Sequence, residues 1–157
     1  MKKIIVTGGC GYIGAHTLID LIENGFEPIC IDNNSRSTPV LLNGVEKITG
    51  KKIKNYKVDL CSFDETHAVF QENLNIEGII HFAAYKSVGE SVHEPLLYFE
   101  NNLDSLINIL KCVKEFEVPH FIFSSSCTVY GNPDKIPVTE STPTKPAESP
   151  YGYTKQM

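Results

Sequence analysis

The sequence lacks the features that mark membrane, secreted and repeat proteins. Its 157 residues include no apolar stretch that approaches the length of a membrane span. The apolar run after the two N-terminal lysines covers only residues 4–6, which is far too short for a signal peptide. Repeats, low-complexity tracts and linkers are also missing. We therefore predict a single domain over residues 1–157, with no membrane segment.

An excess of positive charge and a paired arrangement of cysteines are missing as well. The chain has 14 basic and 19 acidic residues and a net charge of -5, so we expect no nucleic-acid partner. A helix N-terminus could still bind a phosphate. The five cysteines form no CxxC pair. This odd, scattered set predicts reduced thiols in a cytoplasmic protein, and neither a disulfide framework nor a metal site.

What is present is a regular alternation of strand and helix patterns. Apolar runs predict strands at Lys3–Thr7 and at residues 28–32, 78–84 and 120–126, and residues 56–59 are predicted to be the end of the third strand along the chain. Helical patterns separate them, and residues 133–148, with four prolines, are predicted to form a surface loop. The alternation predicts an α/β fold with a doubly wound parallel sheet and helices on both faces.

Capping residues predict where the helices begin and end. Gly25 ends the first helix and Gly50 ends the second, each as a glycine just past the last turn. The apolar side of the first helix holds Ile13, Leu18, Leu21 and Ile22. The later helices are predicted to open at Thr38 with Pro39, at the capping box of Ser62 with Glu65, after Pro95, and at Ser149 with Pro150.

A glycine-rich turn follows the first strand and opens the first helix. Gly8, Gly11 and Gly14 have the spacing GxxGxxG within a βαβ unit, a context that predicts a dinucleotide site of the Rossmann type. The glycines admit a pyrophosphate close to the backbone, and the helix N-terminus supplies amide donors. Asp32, about 20 residues further on, suits the adenosine ribose hydroxyls and would repel a 2′-phosphate, so NAD is favoured over NADP.

Two further residues of this region have open interpretations. Arg36 is close enough to Asp32 in sequence to soften the preference for NAD, but we interpret it as a solvated loop cation. Asp59, after the third strand, is a candidate for the adenine edge and could equally be a cap.

The C-terminal stretch SPYGYTKQM holds a candidate catalytic pair. Tyr151 and Lys155 are four residues apart, which places them on one face of a helix, whereas Tyr153 points elsewhere. The lysine ammonium and the helix N-terminus both favour the phenolate of Tyr151, which could then remove a proton from a substrate hydroxyl. Ser126, at the carboxyl end of the fifth strand, could hydrogen-bond the same oxygen, while Ser124 and Ser125 are interpreted as strand-end caps.

These stretches together resemble the extended short-chain dehydrogenase/reductase family, most closely its branch that inverts C4 of UDP-sugars. The relevant sequences are VTGGCGYIGAH, IDNNSRS, HFAAYKSVGES, FIFSSSCTVYG and SPYGYTK, and KSVGES is the most specific of them. The resemblance implies that bound NAD takes hydride from C4 while Tyr151 removes the 4-hydroxyl proton. Hydride then returns to the opposite face of the 4-keto sugar.

The resemblance also implies the role of each site residue. Lys155 would bind the nicotinamide ribose, and Ser126 with Tyr151 would contact the UDP-sugar substrate at its 4-oxygen. The residues expected to contact NAD are Gly8, Gly11, Tyr12, Ile13, Gly14, Asp32, Asn33, Asp59, Leu60, Phe82, Lys86, Asn101, Tyr151 and Lys155.

Length is the main departure from the family, whose chains run to roughly twice this size. We therefore expect an N-terminal portion without its substrate domain, from a protein that forms a homodimer at full length. Two alternatives stay open: another NAD-dependent nucleotide-sugar epimerase or decarboxylase of the family, and a non-catalytic NAD-binding module. A 4,6-dehydratase would need acidic residues after Thr128, where this chain has Val129 and Tyr130.

Overall fold

The computed structural model describes residues 1–157 and has the predicted α/β architecture. Five parallel strands form one sheet in the order β3-β2-β1-β4-β5. The strands are β1 Lys3–Thr7, β2 Glu27–Ile31, β3 Asn55–Tyr56, β4 Ile76–His81 and β5 His120–Phe123. The order, with its reversal between β1 and β4, is that of a Rossmann-type sheet, as the alternation of patterns predicted.

Seven α-helices accompany the sheet. They are α1 Tyr12–Glu23, α2 Val40–Thr49, α3 Phe63–Glu72, α4 Val88–His93, α5 Pro95–Phe99, α6 Ser105–Glu115 and α7 Pro150–Gln156. A π-helical segment, Glu100–Asp104, joins α5 to α6, and a 3₁₀ turn spans Cys127–Tyr130. None of the helices is long and apolar enough to cross a membrane.

The chain forms two compact units. The first comprises residues 1–84 and 104–124 and contains the whole sheet; the second comprises residues 85–103 and 125–157. In the second unit, α7 packs against α4, α5 and the 3₁₀ turn. The assignment of residues 1–157 to one domain stays a prediction.

The core of the first unit lies on both faces of the sheet. Ile5 belongs to one cluster, with Phe70 of α3 and Ile109 of α6. Val6, the next residue along β1, belongs to the other cluster, with Leu18 of α1. Because successive side chains of a strand point to opposite faces, a central strand covered by helices on both sides needs apolar residues at every position. This explains the unbroken run IIV in the sequence.

Several predicted boundaries are confirmed. Gly25 and Gly50 both have a left-handed backbone, with φ of +80° and +68°, just past the ends of α1 and α2. Ser149 caps α7, since its side chain accepts a hydrogen bond from the Gly152 amide at 3.1 Å, and Pro150 is the first helical residue. Residues 133–148 contain no helix or strand.

Other local predictions were wrong. Ile13 is 59% exposed and does not belong to the buried side of α1. The predicted capping box is only half formed: the Ser62 hydroxyl accepts from the Glu65 amide, but the Glu65 carboxylate accepts from the amide of Asp59 and not from that of Ser62. Helix α2 begins at Val40, because Pro39 is its cap and not its first residue.

The later strands are shorter than predicted, and two elements were missed. β3 contains only Asn55–Tyr56, while β4 and β5 end at His81 and Phe123, before their predicted ends at residues 84 and 126. The predicted long helix after Pro95 is divided by the π-helical segment, and the short helix α4 precedes it. The ends of a strand are set by its backbone hydrogen bonds to the neighbouring strand, and residue type alone does not predict where that pairing stops.

Candidate cofactor and catalytic site

The glycine loop in the first unit is packed too tightly to admit side chains. Gly8 has φ of +69°, and the amide of Gly11 donates to its carbonyl at 3.0 Å. A Cβ atom at Gly14 would lie 2.7 Å from the Cα of Gly9 and would also collide with the Gly8 carbonyl. Glycine at position 14 therefore lets the first turn of α1 rest directly on the loop.

The N-terminus of α1 is open to a ligand. No side chain caps it at Gly11, so the amides of its first turn have no partner within the helix. Tyr12 and Ile13 stand beside them and are 74% and 59% exposed. Free amide donors, the partial positive charge of a helix N-terminus and a cradle that any Cβ would fill together fit a pyrophosphate. This geometry also explains why Ile13 is not part of the core.

Asp32 is held at the glycine loop by the backbone of the loop itself. Its Oδ2 accepts from the amide of Cys10 at 3.0 Å, and its Oδ1 accepts from the amide of Asn34 at 2.9 Å and the hydroxyl of Ser37 at 2.7 Å. The carboxylate is buried and oriented before any ligand binds. The structure thus brings Asp32 and the glycine loop together, as their spacing predicted.

The remaining predicted cofactor residues of this unit have other partners. Asn33 accepts from the amide of Ser35, and Asp59 accepts from the amide of Cys61 at 3.0 Å in an Asx turn, whereas the cap of α3 is Ser62. Leu60 is buried in the core. The carbonyl carbon of Phe82 would lie 3.2 Å from a Cβ at Gly8, which places the end of β4 directly beside the loop. Their contacts with a cofactor stay predictions.

The sequence patterns did not single out the contact of Cys10 with Cys30. Their sulfurs are 3.9 Å apart, both residues are fully buried, and both are free thiols. The hydrogen bond between them lowers the pKa of Cys10 and raises that of Cys30, and burial raises the latter further. A contact between two thiols thus joins the glycine loop to β2, at positions that residue type alone marks as small and apolar.

The second unit holds the predicted catalytic pair. Tyr151 and Lys155 lie on one buried side of α7, each 8% exposed, whereas Tyr153 is 43% exposed. A cavity of about 510 Å³ lies beside Lys155, with Ser125 and Thr144 in its lining. Tyr151 and Lys155 thus share the face that their spacing predicted, and the choice of Tyr151 as the base stays a prediction.

Burial makes the charged form of Lys155 less stable relative to the neutral form. It lowers the pKa of the ammonium group from 10.5 to about 8, because removal from water disfavours the charged form. The group is then mostly protonated at neutral pH and loses its proton in the mildly alkaline range. Shifted pKa values of this kind are concentrated at functional sites.

Ser126 has a structural contact in addition to its predicted role. Its hydroxyl oxygen accepts from the Thr128 amide at 3.3 Å and so caps the 3₁₀ turn. A hydroxyl that accepts one bond still has a proton to donate and a second lone pair. The cap therefore orients Ser126 without excluding a substrate contact.

A hydrogen-bond network that the sequence did not predict holds α7 in place. The Thr154 hydroxyl donates to the carbonyl of Tyr151 at 2.7 Å and accepts from the side-chain amide of Asn102 at 3.0 Å. The side chain of Asn102 also accepts from the amide of Tyr85 at 2.7 Å and donates to its carbonyl at 3.0 Å. Lys86, the next residue, is exposed. The predicted residue Asn101 donates to Asn102 at 2.9 Å.

Known proteins match this chain over nearly its whole length. The family model described as GDP-mannose 4,6 dehydratase matches residues 5–157. UDP-glucose 4-epimerase uge1 of Schizosaccharomyces pombe is 46% identical over 156 residues, and UDP-glucose 4-epimerase of Bacillus subtilis is 46% identical over 154. The crystal structure of UDP-glucose 4-epimerase from Bifidobacterium longum, in complex with NAD+ and UDP, has 47% identity and a TM-score of 0.95.

Coverage is high for this chain and low for its relatives. The matches cover 97%, 98% and 99% of this chain, but only 43%, 45% and 46% of the three proteins. The chain thus spans less than half the length of the curated relatives that it matches.

The lowered pKa of Lys155 predicts a specific dependence of stability on pH. Between about pH 8 and pH 10.5 the unfolded chain binds more protons than the folded chain, so the free energy of unfolding of the wild type rises with pH through this window. Lys155→Met lacks this contribution. We expect it to be more stable than the wild type below about pH 8, with a difference that narrows towards pH 10.5 in urea unfolding.

The matched control is Lys155→Arg, which keeps its positive charge over the whole range. The difference in free energy of unfolding between Lys155→Arg and Lys155→Met should not narrow as the pH rises. If the difference in free energy of unfolding between wild type and Lys155→Met is the same at all pH values in this window, the lowered pKa of Lys155 is contradicted.

Proposed function

The chain belongs to the GDP-mannose 4,6 dehydratase family, and we propose that within this family it forms the NAD-binding and catalytic part of a UDP-glucose 4-epimerase. Such an isomerase of galactose metabolism interconverts UDP-galactose and UDP-glucose. The observation that carries the proposal is the pair Tyr151 and Lys155, both buried on one side of α7. The relatives that match almost the whole chain support the choice of reaction.

The residues of the first unit fit NAD as the cofactor. The uncapped N-terminus of α1 and the glycine cradle would receive the pyrophosphate. Asp32, already oriented by the amide of Cys10, would accept hydrogen bonds from the adenosine ribose. The epimerase from Bifidobacterium longum binds NAD+ in its crystal structure, which supports this assignment by similarity. Bound NAD would supply a hydride acceptor and donor for C4 of the sugar.

Tyr151 would move the proton. As a phenolate it would remove the proton of the sugar 4-hydroxyl and leave a 4-keto sugar, and it would return that proton after the sugar has turned over. Tyr151 lies in the first turn of α7, directly after Pro150. The Thr154 hydroxyl holds the carbonyl of Tyr151 and thereby fixes this turn.

Lys155 and Ser126 would assist this proton transfer. The Lys155 ammonium, protonated at neutral pH with a pKa of about 8, would stabilise the phenolate and bind the nicotinamide ribose. Ser126, oriented by its contact with the amide of Thr128, would donate a hydrogen bond to the 4-oxygen of the sugar. We assign these two roles as proposals, together with the cofactor contacts of Lys86 and Asn101.

We also propose that the protein is cytoplasmic and forms a homodimer. The five free thiols support a reducing compartment. On α6, Ile107 and Leu110 are 48% and 42% exposed, and neighbouring exposed apolar side chains are typical of an interface. Sedimentation of monomers alone at micromolar concentration would contradict the dimer, and recovery of the protein outside the cytoplasmic fraction would contradict the compartment.

Tyr151→Phe should abolish turnover while NAD stays bound. The change removes the proton acceptor and keeps the ring, so we expect kcat to fall by about two orders of magnitude or more. The measurement is conversion of UDP-galactose to UDP-glucose by the protein as its source cells make it, with bound NAD quantified in parallel. The intact mass of that protein is measured as well, because it gives the length of the chain under test.

Tyr153→Phe is the matched control, because it removes a hydroxyl from an exposed tyrosine of the same helix. It should retain wild-type turnover. Near-normal turnover by Tyr151→Phe would refute the assigned base. If the wild type binds NAD but converts no UDP-sugar, a binding module becomes the better account.

Asp32→Asn should weaken the preference for NAD over NADP. The amide keeps the shape of the side chain but removes the charge that repels a 2′-phosphate, so we expect the ratio of the two affinities to fall by about tenfold or more. Binding titrations with both dinucleotides measure this ratio. Asp20→Asn, at an exposed position on α1, should leave the ratio unchanged. Equal discrimination in wild type and Asp32→Asn would exclude the assigned role.

A further inference from the structure

Tyr98 is a completely buried tyrosine whose hydroxyl has two polar partners. It is the largest side chain of the molecule that is fully buried. Its hydroxyl accepts from the amide of Ser87 at 3.0 Å and donates to Oε2 of Glu90 at 2.7 Å. Burial and the neighbouring carboxylate both raise the pKa of Tyr98, so the hydroxyl keeps its proton and remains a donor to Glu90.

The ring of Tyr98 touches the proposed base. It meets the ring of Tyr151 edge to face, with 6.4 Å between centroids and an angle of 77°. On another side it meets the ring of Tyr85 at 5.8 Å in a similar arrangement. Aromatic pairs of this geometry are attractive beyond the area they bury, so Tyr98 restricts the orientation of the Tyr151 ring.

The hydroxyl of Tyr98 holds the segment that carries Lys86. Asn102 fixes the backbone of Tyr85 on one side of this lysine, and Tyr98 fixes the amide of Ser87 on the other. Lys86 therefore has an exposed side chain on a backbone that is anchored at both neighbouring residues. A cation presented in this way loses little conformational freedom when it meets a charged ligand.

We propose that Tyr98 is a positioning residue that serves both halves of the reaction: its ring sets Tyr151, and its hydroxyl, held by Glu90, sets the segment of Lys86. The proposal rests on the proposed function, because it assigns Tyr98 a task relative to the base and to the lysine expected at the pyrophosphate. It also gives the sequence KSVGES a physical meaning. Ser87 caps α4, and Glu90 anchors the tyrosine that holds this cap in place.

The two tasks can be separated by substitution. Tyr98→Phe keeps the ring and removes the hydroxyl, so we expect NAD affinity to fall by about tenfold, the usual effect of one lost hydrogen bond in a buried site. Tyr98→Leu also removes the ring. We expect it to lower kcat by a further factor of about ten and to displace the pH profile of kcat, because the Tyr151 ring is no longer held.

A double-mutant cycle with Lys86 distinguishes positioning from general destabilisation. If the Tyr98 hydroxyl acts through Lys86, Tyr98→Phe should weaken NAD binding about tenfold in the wild-type background and hardly at all in a Lys86→Ala background. Equal loss in both backgrounds would overturn the proposal. Glu90→Ala should reproduce the loss seen with Tyr98→Phe, and Glu90→Gln, which keeps an acceptor, should restore most of it.

The experiment uses the protein as its source cells make it, with NAD as the binding probe and UDP-galactose as the substrate. Tyr153→Phe serves as the control for removal of a tyrosine hydroxyl. A wild type that converts no UDP-galactose would refute the proposed function alone, since the cycle on NAD binding still tests Tyr98. If Tyr98→Leu fails to fold, the Glu90 and Lys86 variants decide the question, and unchanged NAD affinity in Glu90→Ala would overturn the proposal.

Discussion

The burial of β1 on both faces is the constraint on which the first unit depends. The strand pairs with β2 on one side and β4 on the other, and helices cover both faces. Its carboxyl end is therefore held by backbone pairing on both sides, and the chain passes from it directly into the glycine loop. The hydroxyl of Thr7 adds a local clamp, since it contacts the ring of His81 at 2.9 Å and accepts from the Ala83 amide at 3.2 Å. A phosphate cradle made of bare backbone requires such a rigid support.

Burial of a lysine is the corresponding constraint in the second unit. An ammonium group removed from water destabilises the fold, and the consequence is the lowered pKa of Lys155. A lysine with an ordinary pKa would be fully charged at any physiological pH. With a pKa of about 8 the ammonium still keeps its proton at neutral pH, as its proposed role in stabilising the Tyr151 phenolate requires. The energetic cost of burying Lys155 is thus tied to the chemistry proposed for α7, whose cap and hydrogen bonds hold it in place.

Local patterns predicted the elements well where backbone chemistry decides them. Gly25, Gly50 and Pro150 were placed correctly, because a left-handed backbone or a missing amide restricts which residues can occupy such sites. Predictions failed where a distant partner decides the outcome. Ile13 fits a helical stripe but lies at the open N-terminus of α1, and Glu65 bonds to the Asp59 amide although a capping box was available.

The alternation of strands and helices, the glycine turn, the position of Asp32 and the shared face of Tyr151 and Lys155 could all be predicted from the amino-acid sequence. Each of these follows from spacing within a few residues or from the topology that alternation imposes. The pKa of Lys155 and the partners of Tyr98 and Asn102 required the folded chain. The bond from Asn102 to Thr154 joins residues 52 positions apart, and burial depends on every element that packs around a side chain. Neither a hydrogen bond between distant residues nor the burial of a side chain has a local sequence pattern, because both arise when separate segments come into contact.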